Sequence, residues 1–210
     1  MRKFALATVL VALLACVPAA HAATYSACTN GTKRFTHGHN PVPGWHPSRV
    51  DQGVDGTLTA SGYRAAFAMK IVIADVHKSG WANGGYIVGR ILHGDLAGEY
   101  IFVSEGVKPV VRVGQVVRGG ARIADRVNSP YNGIFGNIET GFAARSYPGM
   151  PLAEALRGYR GDQSTAAITA GCAMNRLIGD LGGARGHLAA GLRPEWSLLP
   201  RQIRRQVGLG

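Results

Sequence analysis

Acidic side chains are scarce in this chain. Its 210 residues hold 12 Asp and Glu against 23 Lys and Arg, a formal net charge of +11. That balance points to anionic polymers (wall glycans, teichoic-type polymers, lipid headgroups or extracellular DNA), the plain alternative being that the charge only keeps the protein soluble. Aromatic residues are also few, at 8%. They do not interleave with the basic residues, which sets nucleic acid aside as a partner. Beyond the first 22 residues no apolar run approaches the roughly 18–20 residues of a membrane-spanning helix. Cysteine occurs three times. No Cys-x-x-Cys, phosphate-binding P-loop or Gly-x-Ser-x-Gly elbow is present, so dithiol, nucleotide-phosphate and Ser-His-Asp chemistry have no sequence support.

What is present begins with a leader. Arg2 and Lys3 precede an apolar run from Phe4 to Val17, and Ala20-His21-Ala22 is a small-x-small cleavage site. Residues 1–22 therefore read as a secretory signal peptide, and the mature chain as secreted, periplasmic or cell-envelope. A competing reading takes Leu13-Leu14-Ala15-Cys16 as a lipoprotein site anchored through Cys16, but Leu14 fits that pattern poorly. Removal of the leader leaves Cys28 and Cys172, an even pair in an oxidising compartment, and these are expected to form a disulfide. The 30 glycines follow no collagen-like period and suit a β domain with many tight turns.

Along the chain, residues 23–48 read as an irregular N-terminal segment, with Asn40-Pro41-Val42-Pro43-Gly44 as turn signals. Residues 49–145 read as short strands punctuated by glycine. They include Phe67 to Val76, and Gly85 to Leu92 with Glu99 to Ser104 joined by a turn. Val110 to Ala124 reads as a tight hairpin with its apolar residues inward and glycines at the corners. Residues 146–163 form a linker. A helix is expected over 164–181, capped by Asp162 or Ser164 and stopped at Gly182-Gly183. Residues 182–210 form a basic tail.

Two constellations carry candidate chemistry. In Val50-Asp51-Gln52-Gly53-Val54-Asp55-Gly56 two carboxylates stand four apart. On an extended strand they share a face, where like charges repel unless a cation, an arginine or a shared proton intervenes. The plain alternative is an acidic turn. In Gly136-Asn137-Ile138-Glu139-Thr140-Gly141, Glu139 shares a strand face with Gly141. Trp81 and Tyr86 flank Asn83-Gly84-Gly85 and suggest a stacking platform for sugar. His37, His39 and His46 lie within ten residues, in a Pro/Gly-rich loop that suits solvated histidines. Ala68-Met69-Lys70-Ile71 resembles a biotin attachment site, but Lys70 lies too far from the Gly114 turn for that compact domain.

Taken together, residues 49–145 resemble the LytM/lysostaphin-type zinc endopeptidases of bacterial cell walls. That family carries a His-x-Gly-[Ile/Val]-Asp segment, a V-x-x-G-Q-x-V-x-x-G-x-x-I hairpin and a late His-Leu-His strand. Here Asp51-Gln52-Gly53-Val54-Asp55 keeps the aspartate but puts Asp51 in the histidine place. Val113 to Ala124 matches the hairpin, Asn137-Ile138-Glu139 falls on His-Leu-His, and Tyr100-Ile101-Phe102 lacks the central-strand histidine. The resemblance implies a mainly β fold, a LytM-like β-hairpin sandwich or barrel (duplicated hybrid motif) with an accessory C-terminal helix. It also implies that Asp51, Asp55 and Glu139 converge in one groove, flanked by Gln52, Trp81, Tyr86 and Asn137 as ligand-binding residues. An all-oxygen set suits calcium, magnesium or manganese better than zinc, so a divalent cation of that kind is the cofactor the site would take if it takes one. The expected role is a monomeric, exported protein whose degenerate domain binds peptidoglycan or another anionic wall polymer, or regulates wall hydrolysis. The alternative is an active wall hydrolase using Asp51, Asp55 and Glu139 as catalytic carboxylates.

Overall fold

The computed structural model describes residues 28, 34–77, 84–129, 133 and 136–207. The leader, Cys16, Trp81 and Asn83 lie outside the described residues. The fold is mainly β and antiparallel. Strands β1 (His46–Val50), β2 (Val54–Thr57), β4 (Met69–Asp75), β5 (Gly85–Ile91), β6 (Tyr100–Glu105), β8 (Val116–Val117) and β10 (Asn137–Ala143) form one sheet in the order β1-β2-β10-β6-β5-β4-β8. Strands β3 (Gly62–Arg64), β7 (Val107–Pro109) and β9 (Arg122–Arg126) form a smaller sheet in the order β3-β9-β7.

The apolar alternation of the central strands decides which face is inside. Ile87, Ile101, Val103, Ile138 and Phe142 project into the main core together with Tyr63, Val107 and Ile123 from the smaller sheet. Tyr86, Val88, Phe102 and Ala143 make a second, separate cluster. Between them, the ladder runs Asp55–Glu139–Ser104–Tyr86 across four neighbouring strands. The period of two therefore puts all four side chains on the face opposite the main core. The β5–β6 turn closes through Gly94 and Gly98, both at positive φ (82° and 90°), a conformation open to glycine without strain.

Three helices follow: α1 (Leu152–Ala155), α2 (Thr165–Asp180) and α3 (Arg201–Gln206). Ser164 caps α2 by accepting a hydrogen bond from Ala167 N (3.3 Å). This C-terminal helix beside the β domain is deeply packed: from Ala166 to Ile178 every residue is buried. A helix this rich in Ala and Gly, apolar on nearly all sides, can only be a core element. Cys172 on it is bonded to Cys28, as the cysteine count implies.

The segments that flank the central strands pack against the core. The irregular N-terminal segment supplies buried Phe35, Val42 and Trp45, and the sheet already begins at His46. The presumed linker is anchored by buried Leu152 and Ala153 and by an Ala143–Pro151 bridge. The basic tail docks through buried Leu199, Ile203 and Val207, with Gln202 donating to the Asp95 and Ala97 carbonyls (both 2.9 Å). Val110 to Ala124 is not one tight two-stranded hairpin: its ends do pair, with Val110 N donating to the Ile123 carbonyl (3.0 Å) beside the antiparallel β7–β9 ladder, but β8 between them leaves for the other sheet. β8 pairs with β4 in the large sheet and β9 with β3 and β7 in the small one, while Val113 and Val116 are each 62% exposed. Among the described residues no helix is long and apolar enough to cross a membrane.

Candidate functional site

The segment Val50 to Gly56 is a hairpin turn rather than one continuous strand. β1 ends at Val50, β2 starts at Val54, and the two residues pair. Asp51 Oδ1 accepts the Gly53 amide (3.2 Å), while Asp51 N donates to the Gly53 carbonyl (3.1 Å). Asp51 thus shapes the turn and still presents its second oxygen. Arg49, at the end of β1, donates Nε to Asp51 Oδ2 (2.9 Å) and also to Asp55 Oδ2. The pair of acids is a turn element and an ion-paired couple at once, with the cation supplied by the chain.

Asp55 stands directly across from Glu139 in the β2–β10 ladder. Asp51, Asp55 and Glu139 are 5%, 8% and 5% exposed, so all three carboxylates are withdrawn from water. Glu139 Oε1 has no hydrogen-bond partner. Gly53 lies against it, since a Cβ at that position would come within 2.8 Å of Oε1. Helix α2 closes the other side of the turn. A Cβ on Gly171 would stand 2.1 Å from the Asp51 carbonyl oxygen, so the helix backbone rests directly on the turn.

Burial pushes Asp51 up to about 7, and Asp55 adds to the shift, while the Gly53 amide and Arg49 oppose it. Burial likewise raises Asp55, with Arg49 holding it back. Glu139 is raised well above the usual carboxylate range, by burial first and then by Asp51, Asp55 and Glu105, with a Gln52 hydrogen bond working the other way. For Arg49 burial works against the charge, but Asp55 and Asp51 outweigh it and hold the guanidinium above its usual value. At neutral pH the cluster is therefore a proton-holding set, with Asp55 kept closest to the ionised form by its arginine.

The structure brings Asp51, Asp55 and Glu139 together. Gln52 joins them and faces the Tyr159 hydroxyl (3.5 Å). Asn137 instead donates Nδ2 to Glu105 Oε2 (2.9 Å). Tyr86 does not form an open platform: it is fully buried and stacked on Phe102, with ring centroids 5.8 Å apart. The sequence reading missed Arg49, Glu105, Tyr159 and Gly171. Arg49 had a signal, a basic residue two before the first acid; Gly171 had none, because its role depends on what packs against it.

The donor set does not fit zinc, which favours nitrogen and sulfur, and a guanidinium already sits on two of the three carboxylates. Among the described residues no group of three His, Cys, Asp or Glu is placed to hold a metal ion. His39 lies elsewhere, against Gly119 and Gly120. Beside the cluster opens a cleft of about 1140 Å³, reached by Arg49 and Asp51 and bounded by Arg157, Asp162, Ser164 and Leu192.

No family model matches the chain, and no curated protein does. Solved structures show partial likeness. The catalytic domain of the antimicrobial peptidase lysostaphin from Staphylococcus simulans is 22% identical, with 57% of this chain and 85% of that one covered and a TM-score of 0.38. A putative peptidase M23 from Pseudomonas aeruginosa is 18% identical, over 53% and 47%, with a TM-score of 0.40. A zinc containing peptidase from Vibrio cholerae is 19% identical, over 55% and 36%, with a TM-score of 0.36. The chain thus spans less than half the length of the latter two.

Proposed function

We propose that this chain is an exported cell-envelope protein that binds peptidoglycan or another wall polymer, or regulates its hydrolysis, through the cleft beside the Arg49–Asp51–Asp55 cluster. The observation that carries this reading is Arg49. A hydrolytic carboxylate must meet a water or a leaving-group oxygen. Here Asp51 and Asp55 are engaged by one guanidinium and Glu139 is enclosed behind them, while the cleft opens on Arg49 and Asp51. A wall segment in the cleft would find hydrogen-bonding groups from Arg49, Asp51 and Ser164 without a poised nucleophile.

The test is sedimentation of the purified protein with insoluble peptidoglycan, alongside measurement of released reducing ends and amines. Wild type is expected to co-sediment and release nothing, and Asp51→Asn to sediment less. Release of soluble fragments that disappears in Glu139→Gln would sink the binding-only reading.

One observation favours hydrolysis instead. The acids differ in proton affinity, with Asp51 at about 7, Glu139 well above the usual range, and Asp55 raised by burial but opposed by Arg49. Such a spread is how paired carboxylates divide acid and base roles. Stoichiometric metal in the purified protein, lost in Asp55→Ala, would turn that reading toward a metal-assisted hydrolase.

A further inference from the structure

A second groove, of about 690 Å³, is lined by His39, Arg64, Arg118, Arg122 and the Gly119-Gly120-Ala121 backbone. No carboxylate lines it. Two other clefts among the described residues cluster arginines, and both include acids: Asp51, Asp162 and Glu195 in the large cleft, Asp95 and Glu99 beside α3.

Three segments build this groove, and backbone hydrogen bonds hold them in place. His39 N donates to the Ala66 carbonyl (2.8 Å), Ala65 N to the Ala121 carbonyl (2.8 Å), and Gly120 N to the Ala65 carbonyl (2.8 Å). The floor is two glycines for a steric reason. A Cβ on Gly119 would come within 2.5 Å of the His39 ring, and Gly120 has a φ of +79°. Arg64 is oriented by one nitrogen, Nη1 donating to the Gly120 carbonyl (2.9 Å), which leaves the rest of its fork to point elsewhere. Arg122 reaches Asp125 at 3.2 Å in a pair that is about half exposed on both sides, a weak hold on either group. Among the described residues the Arg118 side chain has no hydrogen-bond or ion-pair partner.

We propose that this groove binds phosphodiester groups of an anionic surface polymer, as a site separate from the carboxylate cluster. Several guanidinium forks converge on one volume. A phosphodiester stays ionised at any working pH and holds its two non-bridging oxygens in a tetrahedral array, so neighbouring forks can each take one of them, and Arg forks match that geometry. A repeating polymer adds successive weak contacts from one tether, which suits a shallow, exposed groove. The inference shares with the proposed function only the envelope setting, and its probe contains no peptidoglycan, so failure of either leaves the other standing.

The experiment is titration of the full chain with soluble poly(glycerol phosphate) at several salt concentrations. Wild type should bind at low salt, with affinity falling as salt rises. Arg118→Ala with Arg122→Ala should weaken binding roughly tenfold and flatten the salt dependence by about one unit of slope. Arg90→Ala with Arg205→Ala, two exposed arginines outside the groove that remove the same charge, should leave it unchanged. Arg118→Glu, at a side chain with no partner to lose, should reduce binding further with no change in melting temperature. Equal weakening by the control pair, equal affinity for polyglutamate of matched charge, tighter binding of a matched oligonucleotide, or no binding at low salt would each overturn the proposal.

Discussion

Asp51 and Glu139 are acids held where their charged forms are disfavoured, and the consequence is a pH dependence of stability with a definite sign. Their folded-state pKa values lie above the unfolded ones, so the folded chain binds more protons through that window. The stability they contribute is fully present below the ordinary carboxylate pKa and is lost as pH rises through the folded values. For Asp51 the window runs from 3.8 to about 7. The urea midpoint of wild type should therefore fall between these values. Asp51→Asn should flatten the fall and gain roughly 1–3 kcal/mol at its upper end; a wild-type midpoint that rises with pH there would contradict the burial of these acids. Arg49 acts in the opposite sense. Its side chain is 68% exposed, so solvent screens much of its attraction. Arg49→Ala should cost about 1 kcal/mol at neutral pH and less in acid, where the carboxylates already hold protons. Equal losses at both pH values would show that Arg49 matters for packing and not for charge.

The contact that places Asp51 lies between elements, between α2 and the β1–β2 turn. Gly171 has no side chain, so the helix backbone meets the carbonyls of Asp51 and Gly53 directly. Any Cβ there must displace helix or turn. Gly171→Ala, a change that favours helix in isolation, should here destabilise the protein by about 2–3 kcal/mol. It should also shift the Asp51 titration, followed by carboxyl NMR, whereas Gly191→Ala, on an open loop with nothing near its Cβ, should leave that titration in place. An unchanged Asp51 titration in Gly171→Ala would separate the helix from the site.

For the molecule as a whole, the Cys28–Cys172 bond closes a loop of 144 residues between the N-terminal segment and the buried helix. Restricting the unfolded chain over that span stabilises the folded state by about 5 kcal/mol on the chain-entropy model. Reduction, or Cys28→Ser with Cys172→Ser, should lower the melting temperature by ten degrees or more for a domain of this size, on the order of 2–4 °C per kcal/mol. A melting temperature indifferent to reductant would mean that the helix is held by packing alone.

How much of this was legible depended on whether a signal was local. Gly85 to Leu92, Glu99 to Ser104 and the helix start at Ser164 are set by alternation, turn residues and a cap, all within a few positions. The even cysteine pair named the disulfide, while Glu139 was grouped with Asp51 and Asp55 by the motif resemblance and not by spacing. What the sequence could not hold was partnership. The Val113 to Ala124 pattern reads as one hairpin because alternation says nothing about which sheet a strand joins, and its two strands belong to different ones. Tyr86 reads as a surface platform because an aromatic near glycines looks the same whether water or Phe102 lies over it. By itself the sequence determined which residues alternate, turn, cap and pair as cysteines, since those follow from neighbours along the chain. Only the tertiary structure decided that Arg49 joins Asp51 to Asp55, that Glu139 is closed off behind them, and that α2 sits on their turn through Gly171. Burial and ion pairing depend on groups that are distant in sequence, and they exist only once the sheet and helix have met.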